Sequence, residues 1–253
     1  MCTVTWIRDE EGYQLFFSRD ERFARKAGIP PEIRIANGAH FVAPADGDFG
    51  GTWIAVNEFG ISVCLLNGCA LTGSAEAVRG RKSRGLLIPE IIAGNSADGI
   101  CARVLRGNLS DLSPFTMAVL TASGGPALIE WNGLTPTFVS GSDRFALLTS
   151  SSYLPAIARE HRRANLEVLR ANGSIDAAAL RRWHANHEPL RGPFSVCMHR
   201  EDAQTVSFTA IRVAGTRAFI EYRAGSPCAS AADVSISELP LSLPRTQSAH
   251  ASS

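Results

Sequence analysis

Cys2 is a thiol that would carry a free α-amine once Met1 is removed, and methionine aminopeptidase readily removes Met1 ahead of a small side chain. One residue would then hold both a sulfur nucleophile and a base. An unperturbed α-amine titrates at about 7.7–8.0, whereas a free thiol of pKa about 8.5 is only a few per cent thiolate at neutral pH. Charge that could act on such a thiol is present in Ser18-Arg19-Asp20-Glu21. An Arg close to a thiol lowers its pKa, and an Asp can orient an α-ammonium. A cysteine after a start codon and a charged hairpin end are each ordinary features; the chemistry depends on bringing them together.

Two hairpins are predicted to do so. Residues 2–8 and 13–18 are rich in β-branched and aromatic side chains, and the polar turn Asp9-Glu10-Glu11-Gly12 separates them. Opposed positions then sum to roughly 22 or 23, which sets Cys2 beside Asp20 or Glu21 with Arg19 next door. A second hairpin is expected from residues 52–57 and 61–66 around Glu58-Phe59-Gly60, placing Asn67 opposite Gly51 or Thr52. Gly50-Gly51 would let backbone approach a ligand, and an amide at a strand end aims a donor at the same place. The competing reading is that Gly50-Gly51 and Asn67-Gly68 simply make turns.

The remaining elements read as strand-rich ends around a helical middle. Residues 27–51 look irregular and proline-bearing, with a short strand at 32–36. Helices are expected at 86–93, at 97–106 behind the cap Ser96, at 153–171, and at 175–186 behind the cap Ser174. Strands are expected at 116–121, 127–131, 135–139, 144–149, 195–199, 205–213 and 218–223. The pattern suggests an α+β fold with helices covering two sheets. Residues 1–223 form one domain in this reading, and 224–253, rich in Ser, Ala and Pro, a mobile tail.

Composition narrows the function. The chain has 253 residues, is 45% hydrophobic and has a formal net charge of +1. It can bury a sizeable core, and no global field points to nucleic acid or an anionic membrane. No hydrophobic run is long enough to span a bilayer. Charges at Arg8, Asp9, Glu10 and Glu11 stand where a signal peptide needs its apolar segment. The six cysteines (Cys2, Cys64, Cys69, Cys101, Cys197, Cys228) contain no Cys-x-x-Cys and read as mostly buried, reduced thiols of a cytoplasmic protein.

Three other constellations carry less. His184 and His187 lie three apart at a helix end, but no third metal ligand stands at a recognisable spacing, so a cap or surface pair is the preferred reading. Arg79, Arg81, Lys82 and Arg84 form a basic loop that is either solvated or a seat for a substrate's carboxylate or phosphate. In Cys197-Met198-His199-Arg200, a buried thiol and a strand-end charge are preferred over a reach of His199 or Arg200 into the site.

Met1-Cys2, Ser18-Arg19-Asp20-Glu21 and Gly50-Gly51-Thr52-Trp53, continuing through Gly60 and Asn67, resemble the NRDE-motif proteins of the transport-and-Golgi-organisation type. Ser18 stands where the naming tetrapeptide has Asn. The resemblance implies a four-layer αββα sandwich of the N-terminal nucleophile hydrolase superfamily. It also implies kinship with choloylglycine hydrolases and penicillin V acylases, in which such a Cys attacks a non-peptide amide. On matched positions it makes Cys2, Arg19 and Asp20 catalytic, with Asn67 joining them as an oxyanion contact; Gly51 and Thr52, from the hairpin pairing above, and Ser150 are the substrate-binding candidates. Ser150-Ser151-Ser152 stands where a second oxyanion-binding Asn is expected; loss of one such donor can cost about 10²–10³ in rate.

The expected activity is therefore hydrolysis or acyl transfer at a carbon–nitrogen bond other than a peptide. The partner is a small-molecule substrate or ligand, with no nucleic acid, no membrane span, no metal and no organic cofactor required; no oligomeric state is assigned. The alternative keeps the fold without catalysis, as a carrier of an apolar ligand such as haem or lipid, a role that the resemblance also implies.

Overall fold

The structure is a computed structural model that describes residues 2–68, 82–140, 145–173, 175–229 and 233–242. The strands are β1 (Cys2–Arg8), β2 (Gly12–Arg22), β3 (Ile29–Ala36), β4 (Ala39–Ala45), β5 (Ile54–Asn57), β6 (Ser62–Asn67), β7 (Phe115–Leu120), β8 (Ala127–Trp131), β9 (Pro136–Ser140), β10 (Phe145–Ser150), β11 (Ala203–Ala214), β12 (Arg217–Ala224) and β13 (Val234–Pro240). The helices are α1 (Leu87–Ile91), α2 (Ala97–Arg106), α3 (Pro155–Ala171) and α4 (Ala177–His184). Among the described residues, these strands form two antiparallel sheets. One has six strands in the order β10-β1-β2-β11-β12-β13, and the other seven in sequence order from β3 to β9.

Alternation along the strands dictates the layers. In β1, Val4 and Trp6 face the second sheet and pack with Val42, Ile54, Val56 and Leu66 in a core between the sheets. Thr3 and Thr5 point the other way, toward α3 and α4. The outer face of the six-stranded sheet holds Phe16, Phe208 and Ala210 against Leu166, Leu180 and Trp183 of those helices. The seven-stranded sheet is covered by α1 and α2 through Ile88, Ile91, Ile100 and Val104. The order is helices, sheet, sheet, helices: the four-layer αββα sandwich expected.

The first hairpin is tighter than predicted. Cys2 pairs with Arg19 and Arg8 with Tyr13, so opposed positions sum to 21. The Asp9 carboxylate accepts the N–H groups of Glu11 and Gly12 at 3.0 and 2.9 Å and closes the turn inside residues 9–12. A Cβ on Gly12 would meet the Val213 carbonyl oxygen at 2.0 Å, so only glycine lets the turn lie against β11.

Four other expectations change. Residues 39–45, read as irregular, form β4, since Phe41 and Ala43 alternate with Val42 between the two faces of the second sheet. Residues 195–199 are not a strand. They run as a loop, with the Met198 N–H donated to the Thr205 side chain at 2.8 Å. Residues 234–240, assigned to a tail, pair with β12 along their length, and Leu239 enters the inter-sheet core. Asp176 caps α4, its carboxylate accepting the Ala179 N–H at 2.6 Å; Ser174 lies outside the described residues, as do Cys69, Arg79 and Arg81. Ser96 caps α2 as predicted. No described helix is long and apolar enough to cross a membrane.

His184 closes the outer layer rather than binding a metal. It is buried, with Nε2 at 2.9 Å from the Thr5 hydroxyl and Nδ1 at 2.8 Å from that of Ser18. Burial, helped by the charges of Arg162 and Arg181, pulls its imidazole down to about 3. Above about pH 6.5 the ring is neutral whether the chain is folded or not, so His184 makes no pH-dependent contribution. Below that, the unfolded chain binds a proton that the folded chain refuses, and stability falls as the pH drops toward 3. Between pH 7 and 5 this group alone is expected to cost about 2 kcal/mol, read from urea unfolding, and His184→Gln should remove that part of the slope.

Candidate active site

Cys2 begins a central strand, between Arg19 of β2 on one side and Ser150 of β10 on the other. Cys2 is 8% exposed and lies on the wall of a cavity of about 660 Å³. Arg19, Glu21, Arg25, Asp46, Gly51, Thr52, Trp53, Asn67 and Arg84 contribute to the same wall. The two hairpins thus bring Cys2, Arg19, Gly51, Thr52 and Asn67 to one place, as predicted. Asp20 also reaches this wall, but its carboxylate engages Thr205 and Arg162 on the helix-facing side of the sheet.

Arg19 is pinned on three sides. Its Nη2 donates to Asp46 Oδ2 at 2.6 Å, Glu21 lies 3.7 Å away, and its guanidinium sits 4.4 Å from the centre of the Trp53 ring. Asp46 also accepts from Arg25 and from the N–H groups of Asp48 and Phe49, so this loop carboxylate organises the rim. The Arg19 Nη1 is buried without a hydrogen-bond partner among the described residues. It leaves a cationic donor for an anion or a polarised carbonyl.

The expected depression of the Cys2 thiol pKa does not prevail. Burial pushes the thiol up, and the charge of Asp20 adds to that. With Met1 in place, the α-ammonium one residue upstream, Arg19 and the backbone N–H of Asp20 pull the other way without overcoming it. The sulfur therefore holds its proton until a base takes it.

Asp20 and Arg162 form a pair whose side chains are fully buried, with Nη2 at 3.3 Å from Oδ2. Thr205 donates its hydroxyl to Asp20 Oδ1 at 2.7 Å. Arg162 also donates to the hydroxyls of Thr3 and Thr149 at 2.7 and 2.8 Å and to the Ser195 carbonyl at 3.2 Å. It thereby ties the strands on both sides of Cys2 to α3. Arg162 is not singled out by any motif. Its signal is positional: it lies on the buried stripe Ala158, Arg162, Leu166 of an otherwise solvated helix.

Ser150, on β10, lies directly beside Cys2. Its hydroxyl accepts from the Cys2 nitrogen at 3.2 Å. Asn67 ends β6 opposite Phe115 and borders both the main cavity and a second one of about 470 Å³ lined also by Ser150, Arg159 and Arg163. The closeness that Gly51 permits is to another part of the chain, since a Cβ there would meet Gly85 at 2.5 Å. The Thr52 hydroxyl donates to its own strand at the Ile54 carbonyl, 2.9 Å away. In the basic loop, Lys82 pairs with Glu90, and Arg84 lines the cavity while donating to the Pro114 carbonyl at 2.8 Å. Arg200 turns to Asp202 and lies over the Tyr153 ring.

Two face-to-face antiparallel sheets between helical layers define the αββα fold of the N-terminal nucleophile hydrolases, and similar solved structures have it. A Caenorhabditis elegans N-acylethanolamine-hydrolyzing acid amidase ortholog superposes with a TM-score of 0.58 at 12% identity, covering 83% of this chain and 92% of its own. Penicillin V acylase from Agrobacterium tumefaciens gives 0.53 at 13% identity, over 92% and 84%. The C2A mutant of conjugated bile acid hydrolase from Clostridium perfringens gives 0.52 at 10% identity, over 96% and 99%. The family profile of Transport and Golgi organisation 2 matches residues 1–153, and the chain belongs to that family. No curated protein matches it.

Removing Arg162 takes from the buried Asp20 carboxylate its guanidinium counter-charge. Arg162→Met is expected to destabilise the protein by about 3–5 kcal/mol in urea unfolding, and adding Asp20→Asn should recover part of that loss.

Proposed function

We propose that the chain, once Cys2 carries a free α-amine, is a cysteine hydrolase or acyltransferase acting on the carbon–nitrogen bond of a non-peptide amide. The observation that carries this reading is the position of Cys2: its thiol faces a cavity beside Arg19, while its nitrogen is held by Ser150 on the flanking strand. The solved structures that share the fold include, by their titles, an amidase, an acylase and a bile acid hydrolase.

The reaction begins with transfer of the thiol proton to the residue's own amine, a base matched to neutral pH. The sulfur attacks the amide carbonyl carbon, and the carbonyl electrons move onto oxygen. Asn67 and the free Nη1 of Arg19 are the donors assigned to that oxyanion. Collapse breaks the carbon–nitrogen bond, the α-ammonium returns its proton to the departing amine, and a thioester remains on Cys2. Water, or a second amine in acyl transfer, then attacks the thioester and restores the thiol. Ser150 orients the α-amine, and Asp20 acts through the backbone on which it sits. Burial that keeps the sulfur protonated suits this order, because the attacking thiolate forms only as the amine accepts its proton.

The cavity wall includes four cationic side chains, Arg19, Arg25, Lys82 and Arg84, beside polar and apolar ones, so a substrate with polar or anionic groups fits it better than a wholly apolar one. A panel of N-acyl amides tests the reading, scored by release of the amine. Cys2→Ala is expected to lower kcat/KM by at least about 10³-fold, and Arg19→Ala by about 10²-fold. Protein still bearing Met1 should alkylate at Cys2 more slowly at neutral pH than protein from which Met1 has been removed. No turnover in the processed protein, with a co-purifying ligand kept by Cys2→Ala, would instead establish the carrier.

A further inference from the structure

Away from the cavity, two loops converge on four side chains. His187 follows α4, Cys197 and His199 lie in the loop before β11, and Cys228 follows β12. One ligand-type atom from each lies within 4.8 Å of all the others. The sulfurs of Cys197 and Cys228 are each 3.5 Å from His199 Nε2. We propose that these four residues form a zinc site: a tetrahedral Cys₂His₂ centre, structural in role, that clamps the 187–199 segment and the 228 loop onto the six-stranded sheet.

The distances have a simple origin. Zinc–sulfur and zinc–nitrogen bonds of about 2.3 and 2.0–2.1 Å at a tetrahedral angle put a sulfur and a nitrogen about 3.5 Å apart. Hydrogen bonding explains the cluster less well, because one imidazole nitrogen, with one proton or one lone pair, faces two thiols at the same distance. The His187 Nε2 is buried and has no hydrogen-bond partner among the described residues, so this member of the cluster keeps a ring nitrogen for a further bond. Two thiolates and two neutral imidazoles neutralise a divalent zinc ion, so burying the loaded site adds no net charge.

The backbone holding these side chains is already fixed. Cys197 donates its N–H to the Asn186 carbonyl at 3.0 Å, and His199 donates to Gly192 at 3.1 Å. Ser226 donates its hydroxyl to the Thr205 carbonyl at 2.6 Å, anchoring the loop that carries Cys228. One contact must yield: Arg191 Nη2 lies 3.3 Å from His199 Nδ1, and a ring bound to metal through Nε2 keeps its proton on Nδ1. Arg191 is exposed and can turn into solvent.

The clamp reaches the candidate active site through two hydrogen bonds. The Met198 N–H, between two ligands, donates to the Thr205 hydroxyl, which donates to Asp20. The zinc assignment does not depend on catalysis.

The test is metal analysis of the full-length protein purified under reducing conditions, followed by removal of metal and titration with zinc or cobalt(II). The expected result is one zinc per chain and, with cobalt, tetrahedral d–d bands plus a thiolate-to-cobalt charge-transfer band. Cys228→Ser should cut that charge-transfer band to about half, because one of the two thiolates is lost, and His187→Ala should weaken zinc binding by more than the roughly 10–100-fold that outer-shell changes cost. Zinc should raise the melting temperature of metal-free wild-type protein, a readout that survives if a variant fails to fold. Failure of the reduced protein to take up zinc, copper in place of zinc, or a Cys197–Cys228 disulfide in the freshly purified protein would each overturn the proposal.

Discussion

The buried pair of Asp20 and Arg162 holds together everything around Cys2. Desolvating two charges is expensive, and the expense is offset only where the remaining hydrogen-bonding capacity is used. Here it is used on Thr3, Thr149, Thr205 and the Ser195 carbonyl. Those partners belong to β1, β10, β11 and the loop before β11, so one guanidinium of α3 and one carboxylate of β2 set the relative positions of four strands and a helix. Arg19, the next residue along β2, points to the opposite face because the strand alternates. Asp20 anchors the helix side of the sheet, and Arg19 presents charge to the cavity.

The cavity has a different logic. Its cations are neutralised in part by Asp46 and Glu21, and Arg19 is flattened against Trp53. Such packing restricts the guanidinium to one orientation and limits the rearrangement needed when charge develops near it. The thiol beside it is kept neutral by burial, so the site combines a fixed cation with an unactivated nucleophile. That division suits a catalyst whose base is delivered by its own terminus and a seat for a polar ligand alike.

Much of this arrangement was legible in the sequence, for reasons that are local. The glycine-ended turn at residues 9–12, the second turn at 58–60 and the Ser96 cap are short-range signals, and the two turns place Cys2, Arg19, Gly51, Thr52 and Asn67 on one wall. The register was missed by a position or two because the Asp9 carboxylate tightens the turn in a way that residue counting does not capture. Strand β4 hid behind prolines, and β13 behind a small-residue composition, since pairing partners rather than propensity make each a strand. Arg162, Asp46 and the Cys197–His199–Cys228 convergence are long-range facts. Residues 31 positions apart meet only once β11 and β12 have paired, and no spacing rule announces such a meeting.

The position of Cys2 at the leading end of a strand has one more consequence. Its nitrogen is already committed to Ser150, and strands flank it on both sides. In the proposed reading, any residue joined to that nitrogen withholds the base, so a leader sequence or an affinity tag placed there would silence the site while leaving its other residues unchanged. Proteolytic exposure of Cys2 would then be the switch that creates the base.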